Sequence, residues 1–501
     1  MRMTCLFRVD AGVNMGLGHA MRCLALAQAW QDGGGEVAFA MAQTPPALGS
    51  RVLSEGMEVI HLDASPGSAL DARRTGALAR ERRAAWVVVD GYQFGSEYQR
   101  GLKEFQLSVL FIDDYGHAPH YWADFVINQN PHAHAGLYAN REAYTSLLLG
   151  TRYTLLRREF GPWRQWRREI PPMARKILVT LGGSDPDNVT GKVVQALREM
   201  EPNSLEAVVL AGGANPHLGE LQARVGQMPF PVRLENSVAN MPELIAWADV
   251  GITAGGGTCW ETAFLGLPCL VVVLAENQAP VAEKLQELQV ALNLGWHAQL
   301  SPGAIAGQLS RLLTSEARRQ EMSAAGQRLV DGEGVDRVLM HLRGEPVRLR
   351  PVRETDCRLL WEWVNDPEVR AASFSRRHIS WEEHHNWFHQ KLGDPNCLHF
   401  IFLDGNDQPV GQVRFDIQPH GEAEIDINID RKVRGSGWGK IILNEAVTNI
   451  FNKTDIHTVN AFIKPENLKS IKAFEKAGFK MGPAVKARGN DCIHYIRSKE
   501  R

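Results

Sequence analysis

The sequence carries almost no net charge: 55 lysines and arginines face 57 aspartates and glutamates, which leaves −2 over 501 residues. No basic excess exists to hold a polyanion, so no nucleic-acid partner is expected. Seven cysteines (5, 23, 259, 269, 357, 397 and 492) lie scattered and none forms a C-x-x-C pair. That spacing argues against a disulfide framework or a zinc site, and for a reducing compartment. The opening MRMTCLFRVDAG lacks the apolar core of a secretory signal. Nowhere do about 18 apolar residues follow one another, so no membrane partner is expected and the expected location is the cytoplasm. Internal repeats and low-complexity tracts are missing too. What remains, 44% hydrophobic and 22% charged residues, is the composition of folded domains and excludes a disordered, collagenous or coiled-coil chain. One hydrophobic core rarely grows beyond about 250–300 residues, so about three compact units are expected.

Lysine is scarce over most of the chain. Residues 1–350 hold 4 Lys against 29 Arg, whereas residues 351–501 hold 11 of each. The shift marks two segments of different ancestry joined near 340–350, or drift within one gene. A second boundary lies near 160–175, where GPWRQWRREIPPMARK suits neither a strand nor an amphipathic helix. Before it, LFRV, EVAFAM, WVVVD, SVLFID and FVIN read as buried strands between helical stretches; after it, KILVTL, LEAVVLAG, VGIT and CLVVVL do the same. This predicts two parallel α/β halves, residues 1–165 and 172–338. The last segment, 346–501, reads as α+β: HFIFLDGNDQPVGQVRFDI is a hairpin, and AEIDINID alternates as a strand with one buried face.

In the first half, AGVNMGLG follows the strand ending at Asp10 and leads into His19 and a helix. Glycines there let a ligand approach the backbone, and the carboxyl edge of a parallel sheet is where ligands bind. A helix start favours a neutral imidazole, suited to accepting a proton; a capping or packed histidine fits the same pattern. Asp90-Gly91-Tyr92, Asp113-Asp114-Tyr115 and Asn128-Gln129-Asn130 end strands on the same edge and suit a polyhydroxylated ligand. Neighbouring aspartates on an extended chain point to opposite sides, so no metal is expected.

The segments RVDAGVNMGLGHAMRC, VVDGYQFGSEY, FIDDYGHAPHYWADFVINQN and YTLLRREF resemble the nucleotide-sugar hydrolases of pseudaminic acid biosynthesis, over roughly residues 4–335. These enzymes act on UDP-2,4-diacetamido-2,4,6-trideoxy-β-L-altropyranose. The resemblance implies a two-Rossmann, GT-B type fold and inverting cleavage of the anomeric C–O bond to UDP and free sugar. It places the catalytic histidine at His19. The sugar-side candidates are Asn14, Tyr92, Asp113 and Asn128.

ITAGGGTCWETAFLGLPCLVVVLAENQ (252–278) is the strongest local motif of the second half. A strand runs into three glycines and Thr258 opens a helix, so free N–H groups and the helix dipole face a phosphate. The arrangement resembles the UDP site of GT-B glycosyltransferases, in which the residue matching Glu261 binds ribose. The UDP-side candidates are Gly256, Gly257, Thr258, Glu261, Asn277 and Gln278. GGSDPDN (182–188) is a second glycine turn on the same cleft.

RKVRGSGWGK (431–440) stands between a strand and a helix and offers successive N–H groups to a pyrophosphate. It resembles the acetyl-CoA loop of the GNAT N-acetyltransferase superfamily; PENLKSIKAFEKAGFKM and LRPVRETDCRLLWEWVNDPEVR resemble its later helix and its N-terminal elements. Arg434, Gly435, Gly437, Gly439, Lys440 and Asn467 are the acetyl-CoA candidates. Glu424 and Asp426, two apart on one strand face, are candidate bases, although a merely exposed acidic face explains them equally. Phe474 stands where many relatives carry the tyrosine that protonates the departing thiolate; Tyr495 or water is an alternative donor. His385 and His389 have helical spacing but no third ligand.

The expected whole is a bifunctional enzyme. It would hydrolyse a UDP-linked diamino-trideoxy sugar and N-acetylate an amino sugar, with acetyl-CoA as co-substrate and no metal. The rivals are a glycosyltransferase of the same fold, and a nucleotide-sugar-binding protein with an inactive acetyltransferase-like module.

Overall fold

A computed structural model describes residues 3–499 apart from 13–15, 184, 202–203, 213–214, 237, 239, 345–346, 436–437 and 488. Two compact units divide the chain, Met1–Leu339 and Met340–Arg501.

Among the described residues the first unit holds two sheets. The first comprises β1 (Thr4–Val9), β2 (Glu36–Met41), β3 (Glu58–His61), β4 (Ala84–Asp90), β5 (Val109–Ile112), β6 (Phe125–Asn128) and β7 (Ser146–Leu149). All pairs run parallel in the order β3-β2-β1-β4-β5-β6-β7. The second comprises β8 (Lys176–Thr180), β9 (Glu206–Leu210), β10 (Val232–Glu235), β11 (Val250–Ala254), β12 (Cys269–Val273) and β13 (Ala291–Trp296). It too is parallel, in the order β10-β9-β8-β11-β12-β13. Inner strands such as β5 and β12 are buried at every residue, as helices on both faces require. In each sheet the order turns back between two central strands, β1 and β4 in one, β8 and β11 in the other. Loops leaving such a pair diverge to opposite faces and open a crevice at the carboxyl ends.

The parallel α/β halves expected from the apolar runs are therefore present. The strands not expected, β3, β7, β10 and β13, lie at or near sheet edges. β3 has no fully buried residue, and β13 breaks its register beside Gly295, whose φ is +87°. The segment 160–175 is strapped down rather than free. Trp163 and Trp166 meet edge to face with centroids 5.4 Å apart and pack against the second half's core. Arg168 donates to the carbonyls of Ile245, Ala248 and Leu265, and its burial pushes the guanidinium down to about 10.

In the second unit β14 (Val347–Pro351), β15 (Cys397–Asp404), β16 (Pro409–Gln418), β17 (Glu422–Ile429), β18 (Thr458–Ile463), β19 (Lys480–Ala487) and β20 (Asn490–Ser498) form one sheet, ordered β14-β15-β16-β17-β18-β20-β19. Every pair is antiparallel except β17 with β18. Helix Trp438–Lys453 covers one face, burying Ile442, Leu443, Ala446, Val447 and Ile450 against Val413, Phe415, Ala423 and Val459. Six cysteines are buried, Cys397 is half-buried, and all seven are unpaired. No helix among the described residues is long and apolar enough to cross a membrane.

Candidate functional site

His19 is the second residue of helix Gly18–Asp32, which follows β1 at the first crevice. Its Nδ1 stands 2.7 Å from Oδ1 of Asp90, the last residue of β4. Burial favours the neutral acid, but Arg22 and His19 together hold the Asp90 carboxyl below its usual range. An ionised Asp90 accepts the Nδ1 proton and leaves Nε2 as the basic nitrogen. From the sequence Asp90 reads as a ligand contact; the structure turns it onto His19 instead. Arg22, one helical turn after His19, donates to both Asp90 oxygens (2.6 and 2.7 Å) and to Asp114 Oδ1 (2.7 Å). Sequence reasoning missed Arg22, although a lone arginine three residues after a candidate base, on a largely apolar helix, shares its face.

Tyr92 meets His19 edge-on with centroids 4.8 Å apart and donates its hydroxyl to Asp114 Oδ2 at 2.7 Å. Asn277, on the loop after β12, donates to that same phenol oxygen at 2.7 Å. The two halves of the first unit thus meet beside His19. Two sugar-side expectations need correction. Asp113 is fully buried, and its carboxylate accepts from the N–H groups of Asp114, Tyr115 and Gly116 and from the Tyr121 hydroxyl. It anchors its loop, and Asp114 is the member of the pair that reaches the site. Asn128 is also fully buried; it donates to Asp114 O and to the Tyr138 hydroxyl and accepts from Asn130 N–H. Asn14 lies outside the described residues.

At the second crevice β11 leads through Gly255–Gly257 into helix Thr258–Phe264. A Cβ added at Gly256 or Gly257 would meet nothing within 4 Å, so this backbone is open. At Gly255 it would stand 2.9 Å from Gln278 Cβ. Thr258 is half-buried. Glu261 accepts from Arg157 at 2.7 Å, and burial pushes its carboxyl above the usual range against the pull of that arginine. Arg157, in the segment joining the halves, was not expected. Two UDP-side expectations change. Asn277 spends its amide on Tyr92, and the side-chain oxygen of Gln278 is taken by the N–H of Leu274, bracing the loop. In the 182–188 turn, Gly182 has φ +103° and Gly183 lies against Leu17 of the first half. Asp185 caps the next helix through the N–H groups of Val189 and Thr190.

In the second unit β17 and β18 pair only from Glu422↔Thr458 to Glu424↔Asn460, although β17 runs on to Ile429 and β18 to Ile463. Beyond Glu424 the edges facing each other are unpaired, and unpaired strand edges accept an extended amide-bearing ligand. The loop after β17 leads to helix Trp438–Lys453. Gly435 is exposed with φ +82°, Lys440 is exposed, and Gly437 lies outside the described residues. Arg434 is not a free cation: it donates to Ile429 O and to Asp366 Oδ1, each at 2.8 Å, and so ties the loop down. A Cβ on Gly439 would lie 3.3 Å from that of Ala473, so this glycine serves helix packing. Asn467 caps helix Leu468–Lys476 through Ser470 N–H.

Asp426 accepts from Gln412 Nε2 at 3.2 Å, and Gln412 Oε1 faces His399 Nε2 at 2.5 Å. Across the β16–β17 pair Asp426 lies opposite Arg414, and Glu424 opposite Asp416. Phe474 is buried against Phe479. Tyr495 is fully buried with its hydroxyl donated to Glu475, so it is not an available proton donor. His384 is buried on Cys357 O, and the ring nitrogens of His385 and His389 face each other at 3.2 Å. Among the described residues no group of three or more His, Cys, Asp or Glu is placed to hold a metal ion.

Comparison with known proteins follows the same division. Residues 177–335 match the glycosyltransferase family 28 C-terminal domain, and residues 347–480 the acetyltransferase (GNAT) domain. The spore coat polysaccharide biosynthesis protein SpsG of Bacillus subtilis is 30% identical over 237 residues, 46% of this chain and 67% of that protein. The UDP-2,4-diacetamido-2,4,6-trideoxy-beta-L-altropyranose hydrolase of Campylobacter jejuni is 24% identical over 282 residues, 56% of this chain and 95% of that protein. Acetyltransferase PseH of Campylobacter jejuni is 22% identical over 121 residues, 24% of this chain and 74% of that protein. Among solved structures, MurG of Acinetobacter baumannii superposes with a TM-score of 0.51 at 16% identity, over 69% of this chain and 100% of that one. That likeness is one of fold.

Proposed function

The chain joins a GT-B-like nucleotide-sugar enzyme of the SpsG family to a GNAT acetyltransferase, and from that premise we propose that one protein carries two steps of pseudaminic acid biosynthesis. The first unit hydrolyses the UDP-linked diacetamido-trideoxy sugar with inversion. The second transfers an acetyl group from acetyl-CoA to the amine of its precursor.

The observation that carries the first activity is the His19–Asp90 pair at one crevice, bridged by Tyr92 and Asn277 to the half that bears the open Gly256–Gly257 turn. A water behind C1 gives its proton to His19 Nε2 as its oxygen bonds to carbon. Asp90 holds the other ring proton and balances the imidazolium that forms. The C1–O bond breaks on the opposite side, and its electron pair leaves with UDP. The N–H groups at 256–258 receive the departing charge, and Glu261 takes the ribose hydroxyls.

For the second activity the wedge between β17 and β18 is the pantetheine site, and Gly435, Lys440 and the start of helix Trp438–Lys453 lie at its pyrophosphate end. Asp426, oriented by Gln412, is the better placed of the two candidate bases. With Phe474 and Tyr495 both buried, water protonates the leaving thiolate.

The match of residues 177–335 to the glycosyltransferase family 28 C-terminal domain favours one second reading, a glycosyltransferase. Release of UDP from the UDP-sugar, measured with and without a sugar acceptor and with and without acetyl-CoA, separates the two. The hydrolase turns over with neither addition; a transferase is silent until the acceptor is present. Thiol release from acetyl-CoA in the presence of the 4-amino precursor tests the second unit, and its absence marks that unit as an inert binding module.

A further inference from the structure

Arg22 has a part in the site that neither its charge nor its burial explains alone. Its side chain is 11% exposed, and its guanidinium serves two carboxylates from different elements, Asp90 at the end of β4 and Asp114 after β5. Nε holds Asp90 Oδ2 at 2.6 Å, Nη2 holds Asp90 Oδ1 at 2.7 Å, and Nη1 holds Asp114 Oδ1 at 2.7 Å. A buried ion cluster adds little to stability, since the cost of desolvation offsets the attraction. Its effect here is directional. A carboxylate claimed at both oxygens cannot rotate, so Asp90 Oδ1 stays aimed at His19 Nδ1. The second carboxylate is fixed by the same fork, and Asp114 Oδ2 is what the Tyr92 hydroxyl donates to. One planar side chain therefore sets the base and the tyrosine that faces it.

We propose that Arg22 is the positioning residue of the hydrolysis, acting on His19 through Asp90 and through its own Nη2, 3.1 Å from His19 Nδ1, and on Tyr92 through Asp114, without touching the nucleotide. This rests on reading the first unit as a UDP-sugar hydrolase. Three forms of the full-length protein test it: wild type, Arg22→Met and Arg22→Lys. Lysine keeps the charge but cannot hold both oxygens of Asp90 and Asp114 together. The expected result is a kcat lowered by about 10²-fold or more in Arg22→Met, with a smaller loss in Arg22→Lys. KM and calorimetric UDP affinity should stay within about threefold of wild type. UDP binding also reports that the variants are folded, and if Arg22→Met does not fold, Arg22→Lys decides. A folded Arg22→Met or Arg22→Lys protein with wild-type kcat overturns the proposal. So does a loss that appears in UDP affinity rather than in kcat. A wild-type protein that releases no UDP overturns the hydrolase reading itself, a result distinct from variants that match an active wild type.

Discussion

At the scale of single residues, the proposed hydrolysis divides the site into a group that reacts and groups that hold it. His19 offers Nε2 while Asp90 holds Nδ1. His19→Ala should cut UDP release by about 10²–10⁴-fold, and Asp90→Asn should fall in the same range because an amide no longer fixes the tautomer. Calorimetric UDP affinity should be unchanged in both, since the proposed mechanism gives neither residue a contact with the nucleotide; full hydrolysis by His19→Ala would remove the histidine from the mechanism. His399 gives a second prediction. Burial pushes its imidazole down to about 4, against the usual 6.5. The unfolded state therefore binds the extra proton first as pH falls. The stability linked to His399 is full above about pH 6.5 and is lost between there and about pH 4, by at most about 3 kcal/mol. Denaturant titrations across that range should show His399→Gln losing less stability than wild type; parallel curves would refute the shift.

At the scale of elements, the glycine turn after β11 contains neighbours with opposite sensitivities. A Cβ on Gly255 meets Gln278, while one on Gly256 meets nothing. Gly255→Ala should lower stability by about 1–3 kcal/mol through overpacking. Gly256→Ala should leave the Tm unchanged and weaken UDP binding about tenfold or more, because the new methyl occupies the surface offered to the diphosphate. Equal Tm losses in the two would mean the turn is packed throughout. The interior strands were legible because strands covered on both faces are unbroken apolar runs, as in CLVVV of β12. EVIH of β3 is short and has no fully buried residue, so no such run exists to be read. The strand–glycine turn–helix order around His19 and Thr258 was legible for a similar reason: the signal lies within a few residues. Asp90 is 71 residues from His19, and Arg157 is 104 residues from Glu261. No local pattern announces those partners. Asp113 and Asp114 show the same limit, since only the fold decides which of two adjacent aspartates anchors the loop and which meets Arg22.

At the scale of the whole molecule, the division at Leu339 and Met340 leaves separate core clusters on each side, and the proposed function puts one phosphate-binding turn in each unit. Each side is also long enough to bury its own core. Cutting the chain after Arg343 should therefore separate the activities: the first fragment should release UDP without acetyl-CoA, and the second should bind acetyl-CoA by calorimetry. A folded second fragment that binds none would make that unit a degenerate module. The distribution of thiols has a practical consequence. Cys5, Cys23, Cys259 and Cys269 are sealed in one unit and Cys357 and Cys492 in the other, with Cys397 half-shielded. The protein thus carries its own mass tags. Pulse alkylation in rising urea, read by peptide mass spectrometry, should label the cysteines in two sets, and the order in which the sets appear will name the unit that opens first without any probe being introduced.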